Sequence, residues 1–205
     1  MDLIEIHNRA LDQAEMLVDG VETNQMTRPT PCREWDLRGL LGHMVVGNRS
    51  YADIARRRQR RPAPGEDVLG DDPAAAYRQS AEEVKRAWSD PALLDQTLGS
   101  HLGQLSGRTF LGIHLVETVV HSWDLATATG RQTRFDPDIV QGAMEIIQGV
   151  LAELPRGTWF DPQLEVSDDL SAIDRLAAFL GRSPAGAKPS EGIWDVHAAD
   201  AREDF

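Results

Sequence analysis

The sequence predicts an all-α protein built as a helical bundle, and three observations support this fold class. Apolar residues recur at spacings of three and four in four long segments, which is the period of a helix with a buried face. Alternating, strand-like patterns are almost absent, and residues typical of helix ends flank most of these segments. Long helices with apolar faces become stable by packing on one another, so a bundle is expected.

The first two helices are predicted within the first 60 residues. Apolar residues at helical spacing cover residues 2 to about 25, and the two prolines in 27–35 then break the pattern. Asp36 has the residue type of an N-cap, so a second helix is predicted from there to about Arg60.

Three glycines fall inside the predicted second helix. Gly39, Gly42 and Gly47 each cost a helix about 1 kcal/mol relative to alanine. They are therefore expected to mark the close approach of another backbone or of a ligand.

A third helix is predicted from Pro73 to about Trp88. Residues 89–107 show no sustained period and are expected to form a long connection, a kind of segment that often carries function. The fourth helix is predicted from about Arg108 to Thr129, with Gly130 as its C-cap.

Two further helices are predicted after residue 130. Asp136 and Pro137 have the residue types of an N-cap and a first helical position, and Pro155 and Gly157 close that helix. Residues 158–167 are expected to include one short extended piece, and 171–180 a final short helix.

Composition limits the partners and the location of the protein. The chain has 205 residues and a formal net charge of -12, which disfavours nucleic acid as a partner. No apolar run approaches the roughly 18 residues of a membrane span, so no membrane partner is expected. The start does not resemble a signal peptide, and a cytoplasmic protein is predicted. One domain is expected over 1–183, followed by a loosely packed tail over 184–205.

The predicted fourth helix carries the candidate site. His114, Glu117 and His121 fall within roughly 60° of arc on a helix that is apolar on nearly every side. An unpaired charge in a core is costly, and a divalent cation is the simplest compensation. His43 on the second helix is a further candidate. Two histidines and one glutamate with an open position form a known catalytic zinc arrangement, so His43, Glu117 and His121 are the candidate ligands.

Several neighbouring residues have two interpretations. His114 is either a ligand or close neighbour of the metal, or a wall or core residue. Asp124 is expected either to orient a ligand imidazole or to make a helix-surface hydrogen bond. Cys32 is interpreted as a buried structural thiol, with metal binding or reactivity as the alternative. Trp35 is expected in the core, and His7 at the surface.

Three segments resemble a known family. TPCREWDLRGLLGHMV, ETVVHSWDLATATG and DRLAAFLGRSP are similar to segments of the DinB-like, mycothiol-dependent maleylpyruvate isomerase N-terminal superfamily, occur in the same order and span residues 27–184. The resemblance implies an up-down-up-down four-helix bundle that binds a divalent metal, commonly zinc or nickel. It also implies that His43, Glu117 and His121, which match the ligand positions of the family, bind the metal. It also implies that a low-molecular-weight thiol such as mycothiol is used by some members.

The resemblance implies a metal-dependent enzyme, with a thiol-dependent transferase, isomerase or hydrolase as the candidate activities. The isomerases that resemble this chain carry a further C-terminal domain, whereas this sequence ends soon after GRSP, so maleylpyruvate isomerase activity is not expected. The expected partner is a small-molecule substrate or a thiol. The alternatives are a non-catalytic, stress-responsive protein that binds a metal or a small molecule, and a homodimerisation module with a vestigial site.

Overall fold

The computed structural model describes residues 2–32, 35–58, 66–100, 103–153 and 160–184. Within these ranges the protein is mostly helical, with six α-helices, two 3-10 helices and one small sheet. The α-helices are α1 Leu3–Val18, α2 Leu37–Ala55, α3 Pro73–Ala87, α4 Gly107–Thr129, α5 Pro137–Glu153 and α6 Ala172–Phe179. The 3-10 helices are Thr23–Gln25 and Pro91–Asp95, and the strands are β1 Thr97–Ser100 and β2 Gly103–Ser106. The broad all-α prediction is therefore confirmed, with the sheet as an exception.

Capping residues set several helix ends where the sequence predicts them. The Asp36 side chain accepts a hydrogen bond from the Gly39 backbone N–H at 2.8 Å, which begins α2. Gly130 adopts a left-handed conformation with φ of 72° and ends α4. The first two helices are shorter than predicted. The last turn predicted for α1 is replaced by the 3-10 helix, and α2 ends at Ala55, while Arg60 lies outside the described residues.

The predicted long connection over 89–107 joins α3 to α4 and contains regular structure that the sequence did not indicate. It includes a 3-10 helix and an antiparallel hairpin in which Leu98 pairs with Leu105. Leu98 is fully buried and anchors the hairpin on the helices. Each strand has four residues, too few to produce a visible alternation in the sequence.

The short extended piece predicted for 158–167 is not a strand within the described residues 160–167. Instead, the Leu164 backbone N–H donates to the Ala178 carbonyl at 3.0 Å, which ties this segment to α6. The predicted helix end at Pro155 and Gly157, and all but the first residue of the predicted tail over 184–205, lie outside the described residues.

Helix α4 lies at the centre of the molecule. It packs against α1, α2, α5 and α6, while α2 and α1 also pack against α3. Its buried residues cover every angle of the helix, as the sequence predicts. In the described part of the chain, no helix combines the length and apolarity needed to cross a membrane.

Gly42 and Gly47 of α2 do not mark the close approach of another backbone, and the alternative, the approach of a ligand, stays a prediction. A Cβ at Gly42 would make only an ordinary contact with Val68, and one at Gly47 would meet nothing within 4 Å. At Gly39 the neighbour is Trp35, 3.1 Å from an ideal Cβ, and that residue lies just before the same helix.

Gly107 gives a test of packing at the start of α4. An added Cβ would lie 2.0 Å from the Leu93 carbonyl oxygen, so Gly107→Ala must displace the backbone of the 3-10 helix. We expect the free energy of unfolding to fall by about 1–3 kcal/mol, the usual cost of overpacking. Gly149→Ala is the matched control, because a Cβ there meets no atom within 4 Å, and its stability should be unchanged or higher. Urea unfolding of both variants measures this, and equal midpoints would contradict the packing described.

Candidate metal centre

A small cavity lies between α2, α3 and α4, and its free volume of about 10 Å³ is close to what one water-sized sphere requires. Its lining is mixed, with apolar, polar and ionisable side chains. The lining residues are His43, Met44, Gly47, Asn48, Tyr77, His114, Glu117, Thr118 and His121. The three predicted metal ligands therefore lie on one cavity, together with His114. Their role as ligands stays a prediction.

His43 and His121 meet across this cavity. Their ring centroids are 4.8 Å apart in an edge-on arrangement, and Trp35 stacks on the His43 ring at 4.2 Å. Trp35 is thus partly in the core, as expected, and also supports a candidate ligand. Burial, followed by the nearby His121, lowers the pKa of His43 to about 3. His43 is therefore neutral at ordinary pH, the form that binds metals.

Glu117 has little compensation for its burial. Its side chain is reachable through the cavity, but the carboxyl lies deep among protein atoms. Tyr51 donates its hydroxyl to Glu117 Oε1 at 3.2 Å. Burial raises the pKa of Glu117 to about 7, and the Tyr51 hydrogen bond opposes this only in part. A cation in the cavity would favour the charged form, so the donor set fits a divalent metal.

Asp124 organises a second polar cluster beside the cavity. Its Oδ2 lies 3.1 Å from His121 Nδ1 and accepts from the Cys32 thiol at 3.1 Å and from Arg182 Nη2 at 3.4 Å. Asp124 is fully buried, and burial alone would raise its pKa. Its partners His121 and Arg182 outweigh burial, and the pKa lies below its usual value. Asp124 therefore holds His121 by one ring nitrogen, the arrangement that orients metal-ligating histidines.

Cys32 is held in its protonated form. Burial and the nearby Asp124 raise the pKa of the thiol to about 12, although Arg182 opposes the shift. Among the described residues, Cys32, His121 and Asp124 are the one group of three whose ligand atoms all lie within 4.8 Å of one another, and the predicted set of His43, Glu117 and His121 is not such a group. The Cys32 group is therefore a second candidate metal site. Arg182 already lies 3.5 Å from the sulfur and supplies a positive charge there.

His7 and His114 form a buried pair, and the expected surface position of His7 is wrong. His7 is fully buried on α1, and its Nε2 lies 2.9 Å from His114 Nδ1. Burial lowers the pKa of both rings, that of His7 to about 4, so neither carries a charge. Tyr51 stacks on the His114 ring, with the ring centroids 4.3 Å apart.

Sequence reasoning missed three contributors to this region. Tyr51 and Arg182 contact Glu117 and Asp124, and Tyr77 lines the cavity. Arg182 belongs to the GRSP turn, whose only signal in the sequence was its resemblance to a segment of the family. The spacing of Tyr51 from His43 by eight residues, about two helical turns, was a signal that this side chain shares the face of the candidate ligand.

A helical protein with a histidine- and carboxylate-lined cavity fits the class to which sequence comparison assigns this chain. The profile of the mycothiol maleylpyruvate isomerase N-terminal domain matches residues 7–126. Two uncharacterized proteins of Mycobacterium tuberculosis, from strains CDC 1551 / Oshkosh and ATCC 25618 / H37Rv, are each 30% identical over 185 residues. The alignment covers 89% of this chain and 99% of each relative. The chain belongs to the mycothiol maleylpyruvate isomerase N-terminal domain family. No solved structure matches it.

A substitution at Gly47 tests whether the cavity has free space beside α2. Because a Cβ at Gly47 meets no atom within 4 Å, Gly47→Ala should add a methyl group without overpacking. We expect an unchanged free energy of unfolding or a gain of up to about 1 kcal/mol from helix propensity. Zinc affinity, measured by calorimetry, should fall because the methyl group narrows the cavity. A loss of stability in urea would show that this wall is packed, contrary to the structure.

The raised pKa of Glu117 predicts a pH-dependent stability in metal-free protein. Protonation of the Glu117 carboxyl stabilises the fold fully below the ordinary glutamate pKa of 4.5. This contribution is lost as pH rises through the raised pKa of about 7. We expect the stability of wild type relative to Glu117→Gln to fall between about pH 5 and pH 8, by an amount on the order of 1–3 kcal/mol. Chemical unfolding across that range measures the difference.

The stability of wild type must be compared with that of Glu117→Gln, because buried histidines also make the stability depend on pH. His7 and His43 have lowered pKa values, so their protonation destabilises the fold as pH falls below 6.5. Both are present in wild type and in Glu117→Gln, and their effect cancels in the difference. Parallel stability curves for the two proteins would show that Glu117 titrates normally.

Proposed function

We propose that this protein is a metal-dependent enzyme that acts on a small molecule, with a low-molecular-weight thiol of the mycothiol type as cosubstrate. The observation that carries the proposal is that His43, Glu117 and His121 line one cavity, while Asp124 holds the second ring nitrogen of His121. Membership in the family supports the thiol, and the chemistry of the lining residues supports the metal.

His43, Glu117 and His121 would hold the metal, for which zinc and nickel are the candidates. A divalent cation bound there supplies Lewis acidity and favours the thiolate form of a thiol. The protein's own groups prepare the site. Asp124 orients His121, Trp35 supports the His43 ring, and Tyr51 keeps one oxygen of Glu117 in place.

The cluster of Cys32, His121 and Asp124 is a less favourable metal site. A cation there would lie close to the Arg182 guanidinium, which contacts both the sulfur and the carboxylate. Like charges at such distances in a buried setting repel strongly. The thiol would also have to lose a proton that its raised pKa retains.

We also propose that α1 to α4 form the up-down-up-down four-helix bundle of the family. The packing of α1 on α3 and α4, and of α2 on α3 and α4, supports this arrangement. In such bundles, metal sites are built from side chains on facing helices, which agrees with His43 on α2 and the other two candidates on α4.

The small free volume of the cavity favours a second candidate function. About 10 Å³ admits a single small group, not a thiol together with a substrate. A non-catalytic protein that binds a metal ion fits that volume, whereas the enzyme requires the cavity to widen when its substrate binds.

Metal binding is the first test. Purified chain, stripped with a chelator, is titrated with zinc and with nickel as wild type, Glu117→Gln and Cys32→Ser. We expect one equivalent in wild type and, in Glu117→Gln, an affinity loss beyond the roughly 10- to 100-fold typical of losing an outer-shell partner. Glu145→Gln, at an exposed position of α5, is the matched control and should bind the metal with the affinity of wild type. A loss in Cys32→Ser but not in Glu117→Gln would assign the metal to the other cluster.

The thiol assay separates the two candidate functions. The metal-loaded protein is mixed with mycothiol and 1-chloro-2,4-dinitrobenzene, and thiol conjugation is followed by absorbance. Metal-dependent conjugation that Glu117→Gln abolishes is the expected result for the enzyme. Stoichiometric metal binding without conjugation, and without thiol binding in calorimetry, would favour the non-catalytic alternative.

A further inference from the structure

One side chain on the cavity wall has a buried hydroxyl without a partner. Within the described residues, four buried side-chain atoms make no hydrogen bond, and of these the Tyr77 hydroxyl is the one whose residue lines the cavity. Tyr77 is only 1% exposed, so bulk solvent does not reach that oxygen. Buried polar groups are nearly always paired, so this exception requires an explanation.

Two other polar side chains of the same cavity are paired within the protein. Thr118 Oγ1 donates to the His114 backbone carbonyl at 2.8 Å, and Asn48 Nδ2 donates to Ser80 Oγ at 2.9 Å. Neither of these side chains accepts a hydrogen bond from Tyr77. Tyr77 therefore differs from both in keeping an O–H proton that no described residue accepts.

The Tyr77 hydroxyl is held in place and stays protonated. Tyr77 lies on the buried face of α3 with Ser80, Ala81 and Val84, so packing fixes the position of its ring. Burial raises the pKa of Tyr77 above its ordinary value, so the phenol keeps its proton at ordinary pH. A phenol that keeps its proton is a hydrogen-bond donor, and the atom that completes this bond must be an acceptor.

We propose that Tyr77 is a binding residue of this cavity, whose O–H donates a hydrogen bond to a neutral acceptor atom of a small molecule bound there. The free volume of about 10 Å³ admits one small group, so the acceptor lies at a narrow end of that molecule. The lining residues include no Lys or Arg, so a carboxylate end would be buried without a protein cation, and a carbonyl oxygen fits better. The inference rests on the proposed function in one respect, because it takes this cavity to be the substrate site.

The test compares two probes of nearly the same rod shape. Acetonitrile ends in a nitrogen that accepts a hydrogen bond, whereas propyne ends in a C–H group that accepts none. Each is titrated into the metal-free full chain, labelled with ¹³C in the methionine methyl groups. Met44 lines the cavity and reports binding, while Met16, which is 63% exposed, reports unspecific effects of the added solvent.

The ratio of the two affinities isolates the hydrogen bond. We expect the ratio of acetonitrile affinity to propyne affinity to fall roughly fivefold in Tyr77→Phe, the effect of losing one hydrogen bond. Thr118→Val is the matched control, because its hydroxyl belongs to the same cavity but is already bonded, and it should keep the wild-type ratio. An unchanged ratio in Tyr77→Phe, an equal fall in Thr118→Val, or no saturable shift of Met44 overturns the proposal.

Formate tests the class of acceptor. As a small carboxylate, it should bind the metal-free cavity more weakly than acetonitrile does. A preference for formate overturns the assignment of a neutral ligand.

A second readout needs no variant. The chain has two tyrosines, so labelling the ring carbon that carries the hydroxyl with ¹³C gives two signals. Acetonitrile should shift the Tyr77 signal saturably, and it should shift the Tyr51 signal less, because the Tyr51 hydroxyl already donates to Glu117. Equal shifts of the two signals, or no shift of Tyr77, overturn the proposal.

The stability of Tyr77→Phe is measured by urea unfolding. We expect its midpoint to equal or exceed that of wild type, because phenylalanine fills the same space without an unpaired hydroxyl. A lower midpoint would show that the hydroxyl has a structural partner, which overturns the proposal.

The proposed metal site is tested separately, because all these measurements use metal-free protein. Zinc binding without the expected difference between the probes would overturn this inference and leave the proposed function standing. The expected difference in a chain that binds no metal would overturn only the proposed metal chemistry.

Discussion

The burial of the Asp124 carboxylate on α4 is the constraint on which the rest of the site depends. A fully buried charge needs compensation, and its partners come from three parts of the chain. Cys32 lies in the segment before α2, His121 on α4 and Arg182 in the turn after α6. Breaking a buried pair of this kind usually costs about 3–5 kcal/mol. The fold is therefore most stable when these three segments meet around α4, which also fixes His121 at the cavity.

The two carboxylates of α4 differ in how completely the protein compensates them. Asp124 has a guanidinium and further polar partners, and its pKa lies below the usual value. Among the described residues, Glu117, two turns earlier, has only the Tyr51 hydroxyl as a hydrogen-bond partner, and burial raises its pKa to about 7. Arg182 thus supplies a positive charge to Asp124, through Oδ2 alone because Oδ1 has no partner among the described residues, whereas Glu117 is left short of positive charge. The difference explains why the proposed metal site lies at Glu117.

Local chemistry determined what could be predicted from the sequence. Asp36 and Gly130 act through their own backbone neighbours, and the ends that they set were predicted correctly. The arc of His114, Glu117 and His121 follows from helical geometry, so their shared cavity was foreseeable as well.

The failures involve distant contacts. His7 pairs with a residue 107 positions away, which the sequence does not show, although its spacing of four from Leu3 and from Leu11 places it on the apolar face of α1. Arg182 lies 58 positions from Asp124. The cost of the glycines to the stability of α2 does not show what lies opposite them, so the expected approach of another backbone was not found at Gly42 or Gly47. The hairpin is an exception, because its pairing is local and it was missed since each strand has only four residues, too few for a visible alternation.

The inner wall of the cavity carries a cost that packing alone does not explain. An unsatisfied buried polar group costs about 1–3 kcal/mol, and the Tyr77 hydroxyl on this wall is buried without a partner among the described residues. Apolar side chains of similar shape, such as phenylalanine at Tyr77, would avoid that cost. The fold tolerates it because α4 is packed on all sides by other elements. Such exceptions are typical of positions where a water or a ligand completes the hydrogen bonds, so the wall facing the candidate metal ligands is more consistent with a binding surface than with a packing defect.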